Sequence, residues 1–184
     1  MKLNKHFNLF IALTTILFLY TNCTGNRVMN VDDLLKNAES LVGQDVVVEG
    51  LCTHVCAKSG MKLLLQGSDK QQTLRAESGS SLGKFNPESI DKQVMVRGKL
   101  VEERIDEAYV KELEKEILEK TKVSHGEGEA GCATEQAAEG VTAGSSEMER
   151  IDSFRARIAE RKANEGKEWL SLYHIVVESY QIID

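Results

Sequence analysis

Apolar residues recur along this chain at two spacings, and the switches between them mark its elements. From Asp32 to Val42 (DDLLKNAESLV), Leu34, Leu35, Ala38, Leu41 and Val42 fall at helical intervals, with Asp32 placed to cap the start and Gly43 to end the segment. The spacing predicts a short helix. At Asp45 the period becomes two through Val46, Val47 and Val48, then Gly50, and the strand can continue to Cys56. Ser59-Gly60 makes the next turn. Lys62 to Gln66 (KLLLQ) and Gln71 to Glu77 (QQTLRAE) predict two more strands, joined by Gly67-Ser68-Asp69-Lys70. Asn86 as cap and Pro87 at a first helical position predict a single helical turn. Lys92 to Val101 (KQVMVRGKLV) is a fourth strand interrupted by Gly98, and Trp169 to Ile183 (WLSLYHIVVESYQII) is a fifth, long enough to pair with more than one neighbour.

Between the fourth and fifth strands the period returns to that of a helix. Asp106 can cap a helix from Glu107 to about Lys120, with Ile105 and Val110 spaced as a hydrophobic staple and Leu113 and Ile117 continuing the stripe. Ser146-Glu147-Met148-Glu149 has capping-box spacing, and Met148, Ile151, Phe154 and Ile158 form a second stripe that Gly166 ends. Two helices packed as an antiparallel hairpin follow. Their charge runs (KELEKEILEK, RARIAERK) read as solvated faces. The connector from Ser124 to Ser145 is rich in Gly, Ala and Glu, which predicts mobility.

Five strands with a helical turn between the third and fourth is the order of the OB-fold. Gly50 and Gly98 suit strands that bend around a barrel corner, where a Cβ is unwelcome. The segments LVGQDVVVEG, KLLLQG and IDKQVMVRGKLVEE resemble the OB-fold domains of exported bacterial lipoproteins that look like nucleic-acid-binding modules. The resemblance covers about residues 30–104 and 167–183. It implies a mainly β fold with α: a five-stranded OB-fold-like barrel with a helical-hairpin insertion, residues 105–166, between strands 4 and 5. A plain antiparallel sandwich is the rival architecture.

The N-terminus gives an address. Met1 to Asn8 carries Lys2 and Lys5 and no acid, Leu9 to Tyr20 is apolar apart from threonine, and the run stops at Thr21-Asn22-Cys23. It falls short of the about 20 residues of a spanning helix, so residues 1–22 read as a cleaved signal peptide. The segment resembles a lipoprotein signal with Cys23 as the lipid attachment site. That family has an aliphatic residue three places before the cysteine and a small one just before it; here those places hold Tyr20 and Asn22. The resemblance implies a protein of the bacterial periplasm or cell surface, anchored to a membrane through lipid. Residues 23–184 then form one domain.

The formal charge of the full chain is -6; losing Lys2 and Lys5 with no acid makes it -8. An acidic chain repels phosphates, so nucleic acid is not an expected partner.

Apart from Cys23, the cysteines are Cys52, Cys56 and Cys132. Their odd number leaves a disulfide with a spare thiol, a metal or redox site, or inert buried thiols. In an unbroken strand Cys52, His54 and Cys56 share one face, and the α-carbons of the two cysteines lie about 13 Å apart, beyond the ~7 Å reach of a disulfide. Cys132 lies in the connector near His125 and can return to either thiol. Cys52, Cys56 and Cys132 with His54 or His125 make a donor set that zinc or a soft copper ion accepts. The spacing matches neither zinc-ribbon pairs nor a haem-attachment sequence.

His174 reads as a packed or edge strand histidine rather than a ligand. Trp169 and Tyr173 can close the core or form a stacking platform. No phosphate loop, nucleophile elbow or metalloprotease helix is present, and Glu102-Glu103 carries no weight as a glycosidase pair in so acidic a chain. The expected function is therefore a binding or scaffold module of the cell envelope, not an enzyme, with an unknown protein or small ligand as partner. The rivals are a metal-binding or thiol-redox protein using Cys52, Cys56 and Cys132, and an oligosaccharide or peptide binder on the barrel face.

Overall fold

The computed structural model describes residues 27–69, 72–123, 133–142 and 146–183. The elements are β1 (Val28–Asn30), α1 (Val31–Leu41), β2 (Asp45–Val55), β3 (Lys62–Gln66), β4 (Thr73–Ser78), a 3-10 turn (Pro87–Ser89), β5 (Gln93–Asp106), α2 (Glu107–Val123), α3 (Ala133–Ala138), α4 (Glu147–Glu165) and β6 (Trp169–Ile183). β2, β3 and β4 form an antiparallel meander, β6 joins β4 in parallel, β5 joins β6 antiparallel, and β5 pairs back onto β2. The barrel is closed in the order β2-β3-β4-β6-β5, the OB-fold arrangement. It replaces the sandwich alternative.

Alternation along the strands fills the barrel. Val46, Val48, Cys52, Leu63, Leu65, Leu74, Ala76, Val94, Val96, Leu100, Ile175 and Val177 share one core, onto which α1 lays Val31, Leu34 and Ala38. Phe85 joins this core and meets the Tyr180 ring edge-on at 5.2 Å. The glycines do what strand bending requires. A Cβ on Gly98 would collide with the Val176 carbonyl, at a point where the β5–β6 register shifts. One on Gly50 would come 2.9 Å from Val31 and 3.1 Å from the Gln66 carbonyl.

The helix after β1 starts differently from the expectation. Its cap is Asn30, whose side chain accepts from the Asp33 amide at 2.7 Å. Asp32 instead accepts from the Ser68 amide and hydroxyl at 2.8 and 2.7 Å. These bonds hold its carboxyl below the usual range and tie α1 to the turn between β3 and β4.

β5 runs beyond Val101 to Asp106, pairing β6 all the way to Trp169. The two strands leave the barrel as a ribbon that carries the insertion. Asp106 accepts from the Tyr109 amide at 2.8 Å, Ser146 and Glu149 complete a capping box, and Gly166 ends α4 in the left-handed region. α2 leaves and α4 returns at the same strand end, and Arg155 of α4 reaches Glu107 and Glu114 of α2. Ile105, Val110, Ile117, Val141, Ile151, Phe154, Ile158 and Leu170 form a second core. Met148, expected in that stripe, is exposed. Part of the connector is also built: α3 and the turn after it bury Gln136 and Val141. Among the described residues no helix is long and apolar enough to cross a membrane.

Candidate functional site

The β2 cysteine strand is not regular. Cys52 pairs with Leu65 and His54 with Leu64, so Thr53 is an extra residue, a β-bulge. The bulge switches the facing: Cys52 and Val55 both point into the barrel, which sends His54 to the opposite face from Cys52. This corrects the shared face expected of an unbroken strand. Cys52 is fully buried, its Sγ lies 3.6 Å from the His54 carbonyl, and burial pushes its thiol up to about 11. The reactive and metal-binding form is the thiolate, so Cys52 is held in its inert form. Cys52 and Cys56 carry thiols and are not bridged to each other. Among the described residues no three His, Cys, Asp or Glu side chains are grouped to hold a metal ion. Cys23, His125 and Cys132 lie outside the described residues.

A charged cluster joins the barrel to its insertion. Arg75, on the outer face of β4, reaches Glu103 of β5 at 2.8 Å and Glu139 of the insertion at 3.6 Å. Its Nε lies 3.1 Å from Glu77, a charge contact without hydrogen-bond alignment. Glu139 also meets Arg150 at 2.8 Å, and Arg157 donates to its backbone carbonyl. His174 sits beside this cluster, buried as expected, with Nε2 3.9 Å from Glu77. Burial lowers its pKa and favours the neutral ring. Arg75, Glu139, Ser171 and Leu172 are among the residues that line a cavity of about 140 Å³ beside the cluster. Nothing in the local sequence signals this set, because its members come from β4, β5, β6, α4 and the turn after α3, which only the whole fold brings together.

Two larger concavities lie outside the barrel. One, about 660 Å³, is lined by Arg104, Glu107, Ile158, Lys162 and Trp169. There the Arg104 guanidinium covers one face of the indole at 4.8 Å, while Tyr173 packs on the barrel core, so the two aromatics do not make a joint platform. The other, about 650 Å³, runs along β1 and α1 and is lined by Arg27, Val28, Met29, Asn30, Asp33, Asn37, Leu41, Gln44 and the first residues of β2. The sequence reading, which begins at Asp32, missed β1 and therefore this groove.

No family model matches the chain, and no curated protein matches it. Among solved structures it is similar to a putative aspartyl-tRNA synthetase from Leishmania major Friedlin, with 12% identity and a TM-score of 0.30 over 52% of this chain and 22% of that one. The chain thus spans under a quarter of that structure's length.

Proposed function

We propose that the chain is an exported binding or scaffold module of a bacterial cell envelope, held to a membrane by lipid on Cys23 and acting without catalysis. The short apolar run that stops at Cys23 supports export and anchoring. The observation that carries the binding role is where space remains. Side chains fill the barrel interior, so a ligand meets the outside, and the groove along β1 and α1 offers about 650 Å³ there. A protein segment or small ligand is the partner this surface suits; the net negative charge disfavours nucleic acid.

Fractionation tests the anchor. The wild-type chain is expected in membranes with a mass increment on Cys23, and Cys23→Ser in the soluble periplasmic or extracellular fraction. An unmodified mature N-terminus in the wild type ends this reading.

A further inference from the structure

We infer that the open edge of β1, with the groove beside it, receives an extended basic segment of a partner protein as an added strand; the choice of occupant rests on the anchoring proposed at Cys23. Within the barrel closure gives β2, β3, β4, β5 and β6 a neighbour on both sides, and outside it the ends of β5 and β6 pair with each other alone. β1, laid in parallel on β2 through Val28↔Val47, Met29↔Val48 and Asn30↔Glu49, has a partner on one side alone among the described residues. A barrel removes its edges, and this chain has put one back. Unpaired backbone N–H and C=O groups on such an edge are a template for another strand. Met29 packs on the barrel core, while Val28 is 43% exposed and Asn30 is exposed.

The charge beside this edge selects the occupant. Among the described residues, Asp33, Asp45 and Glu49 line the groove with Arg27 as their one cation. Glu39, Glu77, Glu103 and Glu139 all have ion-pair partners, but no described cation lies within ion-pair distance of Asp45 or Glu49. Arg97 and Lys99, on the β5 side of β2, share a face with Val47 and Asp45. The described lining of the groove itself keeps three carboxylates to one guanidinium. A second copy would bring the same carboxylates face to face, which like-charge repulsion opposes. The chain's own start is too short once cleaved before Cys23: Cys23 to Asn26 are four residues, and a reversal alone uses about two of them. A partner strand alternating basic and apolar residues turns the first to the face that carries Val28, Asp45 and Glu49 and the second to the face of Met29.

The processed protein is titrated with a peptide of alternating lysine and valine, with its glutamate counterpart, and with a lysine form N-methylated on alternate amides. Saturable binding of the lysine peptide is expected, with amide shifts centred on Val28, Met29 and Asn30. The other two peptides are expected at least about tenfold weaker, as is the lysine peptide on the Asp45→Asn, Glu49→Gln double variant. Both altered side chains are exposed, so the variant keeps the fold. Equal binding of the three peptides, or unchanged affinity in the variant, overturns the proposal. Binding that needs removal of the residues before Arg27 assigns the edge to this chain, and self-association through β1 assigns it to a second copy; either result overturns it too. The Cys23→Ser chain separates the readings: lost anchoring with retained binding defeats the anchor, and intact anchoring without binding defeats the edge proposal.

Discussion

Arg75 and Glu103 form a 2.8 Å ion pair although strand β6 lies between the strands that carry them. The arginine crosses over His174 and Leu172, which are paired in register with Arg75 and Glu103, and on the same reach it meets Glu139. One side chain clamps three strands and the insertion. Removing it leaves three partly buried carboxylates facing one another, so Arg75→Ala is expected to cost about 2 kcal/mol, with a smaller loss at high salt, which screens their repulsion. Denaturant midpoints at low and high salt check this. Equal losses at both would show that packing, not charge, is what Arg75 supplies.

Gly98 and Gly43 separate two reasons for glycine. Gly98→Ala drives a methyl into the Val176 carbonyl and is expected to cost about 3 kcal/mol or more. Gly43 has open space around it but a φ of +80°, so Gly43→Ala is expected to cost about 1 kcal/mol from backbone strain alone. Thermal unfolding of the pair tests the ranking.

Cys52 gives stability an alkaline limit. Burial raises its folded pKa from 9.0 to about 11, so the folded state holds the proton that the unfolded chain releases first. The contribution is complete below pH 9 and is lost as the pH rises toward 11. Cys52→Val is expected to flatten this alkaline fall in the denaturant midpoint. Alkylation at pH 8 is expected to label Cys52 only when the chain is unfolded, and rapid labelling in the native protein would contradict its inert burial.

His174 acts at the other end of the scale. Its folded pKa is lowered below 6.5, with burial as the leading cause; Arg75 and Lys62 add to the lowering while Glu77 and Glu103 oppose it. Stability from the neutral ring is complete above 6.5 and declines as the pH falls below it, because the unfolded chain takes up the proton first. His174→Leu is expected to flatten the acid fall below pH 6.5. Measured midpoints that fall in parallel for both proteins would assign the acid loss to carboxylates.

Features set by near neighbours were legible in the sequence. β3 and β6 lie where the alternation puts them, Asp106, Ser146 and Asn86 cap as their spacing predicts, and Gly98 stands at a backbone contact. The rest depends on partners far along the chain. Asp32 looks like a cap until Ser68 is folded against it. The run EERID after Val101 reads as polar, yet it extends β5 because β6 offers it a partner. Arg157, in a charge run that reads as a solvated face, donates instead to the Glu139 carbonyl, and Glu139, in the connector, joins the clamp once the parallel β4–β6 register sets Arg75 beside His174. The bulge at Thr53 carries no mark in the residues themselves.

The parallel pairing of β4 with β6 has a consequence for the order of folding. Ala76 must find Ile175, a contact across more than half the chain, and contacts of that range are slow to form because the loop must close before pairing stabilises it. The insertion shortens the search. Its helices have their own caps and core, and once they meet they bring Asp106 to Trp169, the first rung of the β5–β6 ribbon. Pairing can then zip from that rung toward Gln93 and Ile183, delivering β6 to β4 as part of a formed ribbon. In this order the hairpin serves as a splint for the last strand.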